Sequence, residues 1–199
     1  MGYDENFYNA YKAYLKEPAV REAHDSIFAI ACLNSNFKDV VDFGCGAFNE
    51  FLVHAKPREY VGIDVNVSPE DGERKRLIAA NYRKIENLAD VVQPNWPTAF
   101  VSLFSTEITA PTAENYKLYE KIFRELPTVL SGLVSGFYYV SKKNQNPIGE
   151  AGGLMSYQTL ENIEDVKSDV FKERRIILPV PSKMFGADVF EIWKFFSKK

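Results

Sequence analysis

An apolar run that breaks into two glycines, Val40-Val41-Asp42-Phe43-Gly44-Cys45-Gly46, stands ahead of Tyr60-Val61-Gly62-Ile63-Asp64. This pair of segments does most to limit what the chain can fold into. The first reads as a buried strand entering a tight turn, the second as a strand that ends in an acid. Gly-x-Gly lets the backbone turn sharply and come close to a ligand, because neither position carries a Cβ. Asp64 follows Gly46 by 18 residues, close to the ~20 at which a strand-end acid meets a ribose. The combination predicts a parallel sheet whose carboxyl edge takes a nucleotide-like cofactor.

The turn lacks the third glycine of a dinucleotide fingerprint, since Asn49 stands there, and it places Asp42 just before the first glycine. A carboxylate at that point repels a pyrophosphate and suits a ligand with an amine or a sulfonium. Asp42, Gly44 and Gly46 resemble the acid-x-Gly-x-Gly-x-Gly motif of the class I (Rossmann-like) S-adenosylmethionine-dependent methyltransferases, with Phe48 in place of the last glycine. The resemblance covers roughly Asp39 to Phe196. It implies S-adenosyl-L-methionine as cofactor, S-adenosyl-L-homocysteine as product, and methyl transfer to an O, N or S atom. Two other classes remain open: a non-catalytic Rossmann-like cofactor-binding or protein-interaction domain, and an NAD(P)-dependent oxidoreductase. Asn49 and Asp42 weigh against the latter.

The 199 residues, 46% of them hydrophobic, suit one α/β domain with a full core. Residues 1–38 read as an N-terminal helical cap and 39–199 as the Rossmann-like core. A net charge of −3 gives no basic field for nucleic acid, so a small-molecule acceptor is expected. The two cysteines, Cys32 and Cys45, fit a reducing cytosol. The polar, acidic start of the chain argues against a secretory signal, and no apolar run is long enough to span a bilayer.

The periodicity predicts helices over about Glu5–Lys16 and from Pro18 through Cys32, a strand Val40–Phe43, a helix Phe48–His54 and a strand Tyr60–Asp64. Ser68-Pro69-Glu70 reads as a helix start, with the helix reaching Ala80. Lys84–Leu88 reads as the third strand and Ala99–Phe104 as the fourth. Thr112–Leu126 reads as a helix, Leu133–Val140 as a strand and Tyr157–Val166 as a helix. Two strands, Arg174–Pro179 and Asp188–Phe196, follow, joined by a turn through Pro181 and Gly186. A short turn forces that last pair antiparallel. The expected architecture is a three-layer α/β sandwich whose sheet has seven mostly parallel strands, one of them antiparallel near the C-terminus.

The resemblance assigns roles by position. Gly44, Cys45 and Gly46 turn backbone N–H groups toward the cofactor's amino-acid end, and Asp42 lies beneath it. Asp64 holds the ribose and Val65 packs on the adenine. The third strand is expected to end in an acid for the adenine amino group; Asp90, followed by Val91, suits this, with Glu86 as the competitor. Phe104 at the end of the fourth strand is a further cofactor contact. The Asn/Asp-Pro-Pro-Tyr motif of relatives that methylate adenine or glutamine is absent there, but Glu107 stands at the expected acceptor lip. Glu107, His24 and Tyr11 are the candidate catalytic side chains. Tyr11 belongs to an aromatic stripe (Tyr3, Phe7, Tyr8, Tyr11, Tyr14) spaced to share a helix face as core packing or as a lid. Asn144–Gly153 reads as an acceptor-binding loop or a crossover. His54 reads as a surface or packing residue. No metal-ligand spacing, phosphate loop or nucleophilic triad signature is present.

Overall fold

The computed structural model describes residues 12–46, 50–92, 97–109, 112–139, 167–180 and 189–199. Residues 12–16 are helical. Helix α1 (Pro18–Leu33) follows Glu17, whose extended backbone is what a residue before proline prefers. Pro18 costs nothing at the first helical position, where its missing N–H has no partner to lose. The buried side chains of α1 are His24, Ile27, Phe28 and Ala31, a spacing that puts one face on the sheet.

Strand β1 (Asp39–Phe43) is buried throughout. After the glycine turn come α2 (Glu50–Ala55) and β2 (Glu59–Asp64), which pairs parallel with β1. A two-residue strand β3 (Glu70–Asp71) leads into β4 (Lys75–Ala79). Then follow α3 (Leu88–Val91), β5 (Ala99–Leu103), α4 (Thr106–Thr109) and α5 (Thr112–Glu125). Strands β6 (Ser131–Tyr139), β7 (Phe171–Val180) and β8 (Val189–Lys198) complete the described elements.

All eight strands form one sheet in the order β3-β4-β2-β1-β5-β6-β8-β7. The pairs β1–β2, β1–β5, β2–β4 and β5–β6 are parallel. Strand β8 is antiparallel to both β6 and β7, as the short C-terminal connection requires. The strand order reverses at β1, so the carboxyl ends of β1, β2 and β5 define the crevice where α/β sheets bind ligands.

The sheet has one strand more than expected, and the difference lies between β2 and β4. Residues 68–80 form no helix. The chain leaves β2, runs down the sheet edge as β3, turns at Gly72 and climbs back as β4. The Gly72 N–H donates to the Lys75 carbonyl at 2.9 Å and closes this hairpin. Asp71-Gly72 is a turn dipeptide, and it overrides the capping signal at Ser68-Pro69. The predicted strand at Lys84–Leu88 is absent for a similar reason. Asn81 and Asn87 accept from the Arg83 and Ala89 amides, starting a 3-10 turn (Tyr82–Lys84) and α3.

One apolar layer, with Ile27, Phe28, Phe37, Val40, Phe51, Val101, Phe137 and Trp193, lies between α1–α2 and the sheet. The other, with Val41, Phe43, Phe100, Tyr119, Ile122, Phe123 and Phe196, lies between α5 and the opposite face. Each strand feeds both layers by alternation. The expected helix over Glu5–Lys16 is described only from Lys12 onward, and the expected helix Tyr157–Val166, the loop Asn144–Gly153 and the turn at Pro181 and Gly186 lie outside the described residues. So do Phe48 and Asn49.

Candidate active site

The two glycines differ in what surrounds them. Gly44 (φ +78°) lies directly under Ser105, and a Cβ there would overlap the serine side chain. Gly46 (φ +57°) has no described residue within 4 Å of the place a Cβ would take. Gly44 therefore lets two loops meet, whereas Gly46 borders open space. Of the three N–H groups expected to turn toward a ligand, those of Gly44 and Gly46 are bonded within the protein. Gly44 donates to the Ile63 carbonyl at 2.7 Å, and Gly46 donates to Asp64 Oδ2 at 3.1 Å. These bonds tie the turn to the tip of β2.

Asp64 organises that tip. Its other oxygen accepts from the Asn66 N–H at 2.8 Å. Val65, next in the chain, is 56% exposed, an apolar side chain in water at the rim of the crevice. Asp42 lies deeper, buried, and accepts from the Tyr60 hydroxyl at 2.8 Å. Burial, with the Asp42 carboxylate beside it, pushes the Tyr60 hydroxyl far up in pKa, so it stays a neutral donor. Burial and the carboxylates of Asp42 and Asp64 likewise push the Cys45 thiol up. A thiol held neutral is no nucleophile. A Cβ on Gly62 would come within 2.7 Å of Cys45 Sγ, so Gly62 leaves the space this thiol fills. Asp42, Gly44, Cys45, Gly46, Asp64 and Val65 are thus brought together.

Phe104 continues the crevice from β5. Its φ of +51° is uncommon for a residue with a side chain, and its N–H donates to the Ser135 carbonyl at 3.0 Å. The ring stacks on Phe137 at 4.7 Å and on His24 at 6.0 Å. Helix α1 thus brings His24 to the end of β5, and the imidazole is buried there. His24 Nε2 lies 2.8 Å from Glu191 Oε1 on β8.

Glu107 is placed differently from the lip the sequence suggested. It is fully buried under the β5 tip on the α5 face, where it accepts from Tyr119, Tyr138 and, at 2.6 Å, Lys194 Nζ. Burial pushes its pKa up, but the Lys194 charge and the three donors outweigh that and hold it below the ordinary 4.5. Asp90 and Val91 do not join the site. They sit on α3, where the Val91 carbonyl accepts from Arg76 Nη2 at 2.5 Å and the Leu88 N–H donates to Glu125 at the far end of α5. Strand β4 ends instead at Ala79, and the exposed residue just beyond it is Asn81. Glu86 is exposed, and its carbonyl accepts from Lys121. Tyr11 lies outside the described residues. His54 pairs with Asp25 at 3.1 Å on the α1–α2 surface and stacks on Phe28, as a packing residue does.

Sequence reasoning missed Tyr60, Tyr82, Ser105 and Glu191. Tyr82 packs on Gly44, and its hydroxyl meets Ser105 Oγ at 3.0 Å. Arg83 then donates to the Thr106 carbonyl at 2.9 Å and to Asn115 Oδ1 at 2.6 Å, locking the loops after β4 and β5 together. The signal for Tyr82 was its place beyond a short apolar run, Leu77-Ile78-Ala79-Ala80, that reads as a strand once the Asp71-Gly72 turn is recognised. Among the described residues no group of three or more His, Cys, Asp or Glu is placed to hold a metal ion.

Strand order, the reversed β8 and the glycine crevice together define the Rossmann-like fold of class I methyltransferases. No protein-family model and no curated protein matches the sequence. Solved structures do resemble it. The methyltransferase domain of bacterial CtHen1-C superposes with a TM-score of 0.58 at 15% identity, over 86% of this chain and 94% of that one. Magnesium protoporphyrin IX methyltransferase from Synechocystis PCC 6803, solved with bound SAM, gives 0.53 at 10% identity over 98% and 92%. N-methyltransferase NodS from Bradyrhizobium japonicum WM9, in complex with S-adenosyl-L-homocysteine, gives 0.51 at 11% identity over 98% and 99%.

Proposed function

We propose that this chain transfers a methyl group from S-adenosyl-L-methionine to an O, N or S atom of a small polar acceptor. The observation that carries the reading is the Asp64–Gly46 bond across the tips of β1 and β2, beside open space at Gly46 and an exposed Val65. A rim carboxylate, an apolar side chain in water and a floor without a Cβ suit an adenosyl group. Asp64 would hold the ribose hydroxyls: each oxygen already accepts one N–H and keeps a further lone pair. Val65 would lie against the adenine, with Asn81 at the end of β4 in place of the acid first assigned to Asp90. Asp42, fixed by Tyr60, would sit beneath the amino-acid end. The solved neighbours that contain SAM or S-adenosyl-L-homocysteine support this choice of cofactor.

When bound, the cofactor supplies a methyl group already activated on a sulfonium. The chain's part is alignment and exclusion of water. Phe104 just past β5, Phe137 towards the end of β6 and Trp193 in the middle of β8 form an aromatic cluster. His24 is the candidate base for an acceptor that carries a proton, and Tyr11 keeps its candidacy on the N-terminal segment. Glu107, locked to Lys194, serves to position α4 and Ser105. The reading takes 1–199 as one domain, with 1–38 capping 39–199, working in the cytosol. No helix among the described residues is long and apolar enough to cross a membrane.

Calorimetric titration with S-adenosyl-L-methionine, S-adenosyl-L-homocysteine and NAD tests the assignment, with Asp64→Ala alongside. Micromolar binding of the adenosyl ligands, lost in Asp64→Ala, is the expected result. Absence of both, or preference for NAD, overturns it.

A further inference from the structure

Glu191 is a carboxylate inside an aromatic layer. It lies on β8, fully buried, directly across from Phe137, while Trp193 lies across from Ser135. Opposed residues of an antiparallel pair share a face, and this face is the one α1 covers. Three groups converge on the carboxylate: the Tyr14 hydroxyl, the Trp193 indole N–H and His24 Nε2 at 2.8 Å. Two of the three come from different N-terminal elements, Tyr14 from the helical residues 12–16 and His24 from α1. The imidazole meets the Trp193 ring edge-on at 5.0 Å and stacks on Phe104.

A buried charge in such a layer contributes little to stability over an apolar group of the same shape. Its use is to demand one arrangement, because donors buried without their acceptor are costly. Ser135 strengthens the polar character of the spot: its hydroxyl is wholly buried with no hydrogen-bond partner among the described residues.

We propose that Glu191 is a positioning residue: it fixes the His24 imidazole at the tip of β5 and, through Tyr14, clamps both N-terminal helical elements over the acceptor side of the crevice. The proposal rests on the methyl-transfer reading for the word acceptor alone; the clamp is a property of the fold. It separates two duties on one crevice. Asp64 and Asp42 serve the cofactor side at β1 and β2. Glu191 serves the other side, at β5, β6 and β8.

The test uses the full chain, Glu191→Gln and Tyr14→Phe. Glu191→Gln keeps an acceptor of the same shape and removes the charge; Tyr14→Phe removes one hydroxyl and leaves the carboxylate. Imidazole nitrogen–proton spectra are assigned simply, because the chain has two histidines and His54→Asn removes the other. The expected result is a His24 Nε2–H signal sheltered from solvent in the parent protein, shifted and exchanging about tenfold faster in Glu191→Gln. Amide exchange across residues 12–33 should rise about tenfold in both variants while β1 and β2 keep their protection. S-adenosyl-L-homocysteine affinity in Glu191→Gln should stay within about threefold of the parent value. An unchanged imidazole signal, faster exchange everywhere alike, or a loss of affinity as large as that of Asp64→Ala overturns the proposal. A parent protein that binds no adenosyl ligand overturns the methyl-transfer reading instead, and leaves the imidazole and exchange results to decide the clamp.

Discussion

Lys194 Nζ on β8 sits 2.6 Å from Glu107 Oε2 on α4, with 1% and 0% of the two side chains exposed. The ammonium also lies over the rings of Tyr116 and Tyr138, at 5.3 and 5.2 Å. Glu107 reaches this depth because Gly136 on β6 offers no Cβ to block it. The pair fixes α4 to the sheet and so fixes Ser105, two residues earlier, against Gly44. Removing one member strands the other charge in a low-dielectric layer, at a cost of roughly 3–5 kcal/mol. Lys194→Met should therefore destabilise the protein strongly, and the double variant Glu107→Leu/Lys194→Met much less. Chemical denaturation of the three proteins measures both. Equal losses in the single and double variants would sink the argument.

The same carboxylate predicts a pH dependence. Its folded pKa lies below the ordinary 4.5 of the unfolded chain. Its contribution is then complete above about 4.5 and disappears as pH falls through the lower folded value. Glu107→Gln should be less stable at neutral pH, yet lose less further stability on acidification from about pH 5 to pH 2. Thermal midpoints across that range check the slope.

Gly44→Ala and Gly46→Ala should separate folding from binding. Gly44→Ala combines left-handed strain of ~1–2 kcal/mol with overpacking against Ser105 of ~1–3 kcal/mol. It should lose roughly 2–5 kcal/mol. Gly46→Ala has the strain alone, since no described residue comes within 4 Å of the place its methyl takes. It should lose ~1–2 kcal/mol yet weaken S-adenosyl-L-homocysteine binding about tenfold or more if the ligand lies against this turn. Equal ligand affinity in the parent and Gly46→Ala would place the ligand elsewhere.

Local chemistry made the first half of the site legible. Asp42, Gly44, Gly46 and Asp64 are near one another in sequence order, and a strand–turn–helix–strand unit has only one compact way to bring them together. The antiparallel β8 was legible for the same reason, since a short connection leaves no room for a crossover. The adenine end was not. A proline cap at Ser68-Pro69 competes with the Asp71-Gly72 turn, and only pairing with β2 decides for the hairpin. That displaced the end of β4, so the strand-end residue was sought at Asp90, whereas the exposed residue just beyond β4 is Asn81. Glu107 and Glu191 illustrate the other limit. Glu107 owes its burial to partners on β6 and β8, 31 and 87 residues away, and Glu191 to N-terminal partners as many as 177 residues away, which no local pattern encodes.

Asp64 offers a measurement in which two roles give different sizes of effect. It accepts from the Gly46 and Asn66 amides, at 3.1 and 2.8 Å, so Asp64→Asn keeps one good acceptor and Asp64→Ala keeps none. Hydrogen bonds to a charged group are worth ~1.5–3 kcal/mol, less where water reaches them as it does here. Stability should fall by ~1 kcal/mol in Asp64→Asn and about twice that in Asp64→Ala. Adenosyl-ligand affinity should fall further than stability does, by about a hundredfold in Asp64→Ala. A loss of stability with unchanged affinity would make Asp64 a turn residue alone.

Tyr60→Phe tests the deeper carboxylate. The Tyr60 hydroxyl donates to Asp42 Oδ2 at 2.8 Å with both side chains buried. Its pKa is driven well up by burial and by the neighbouring Asp42 and Cys45, so the donor persists across the working pH range. Phenylalanine fills the same volume and removes the donor, which takes one hydrogen bond from a buried carboxylate at a cost of ~1–3 kcal/mol. If Asp42 serves the cationic amino-acid end of the cofactor, loosening it should weaken S-adenosyl-L-homocysteine by about tenfold. Adenosine alone, which has no amino-acid end, should bind Tyr60→Phe as it binds the parent. Calorimetry with the two ligands separates the cases. Equal weakening of both would mean that Tyr60 supports the whole turn through Cys45 and Gly62 rather than Asp42 in particular.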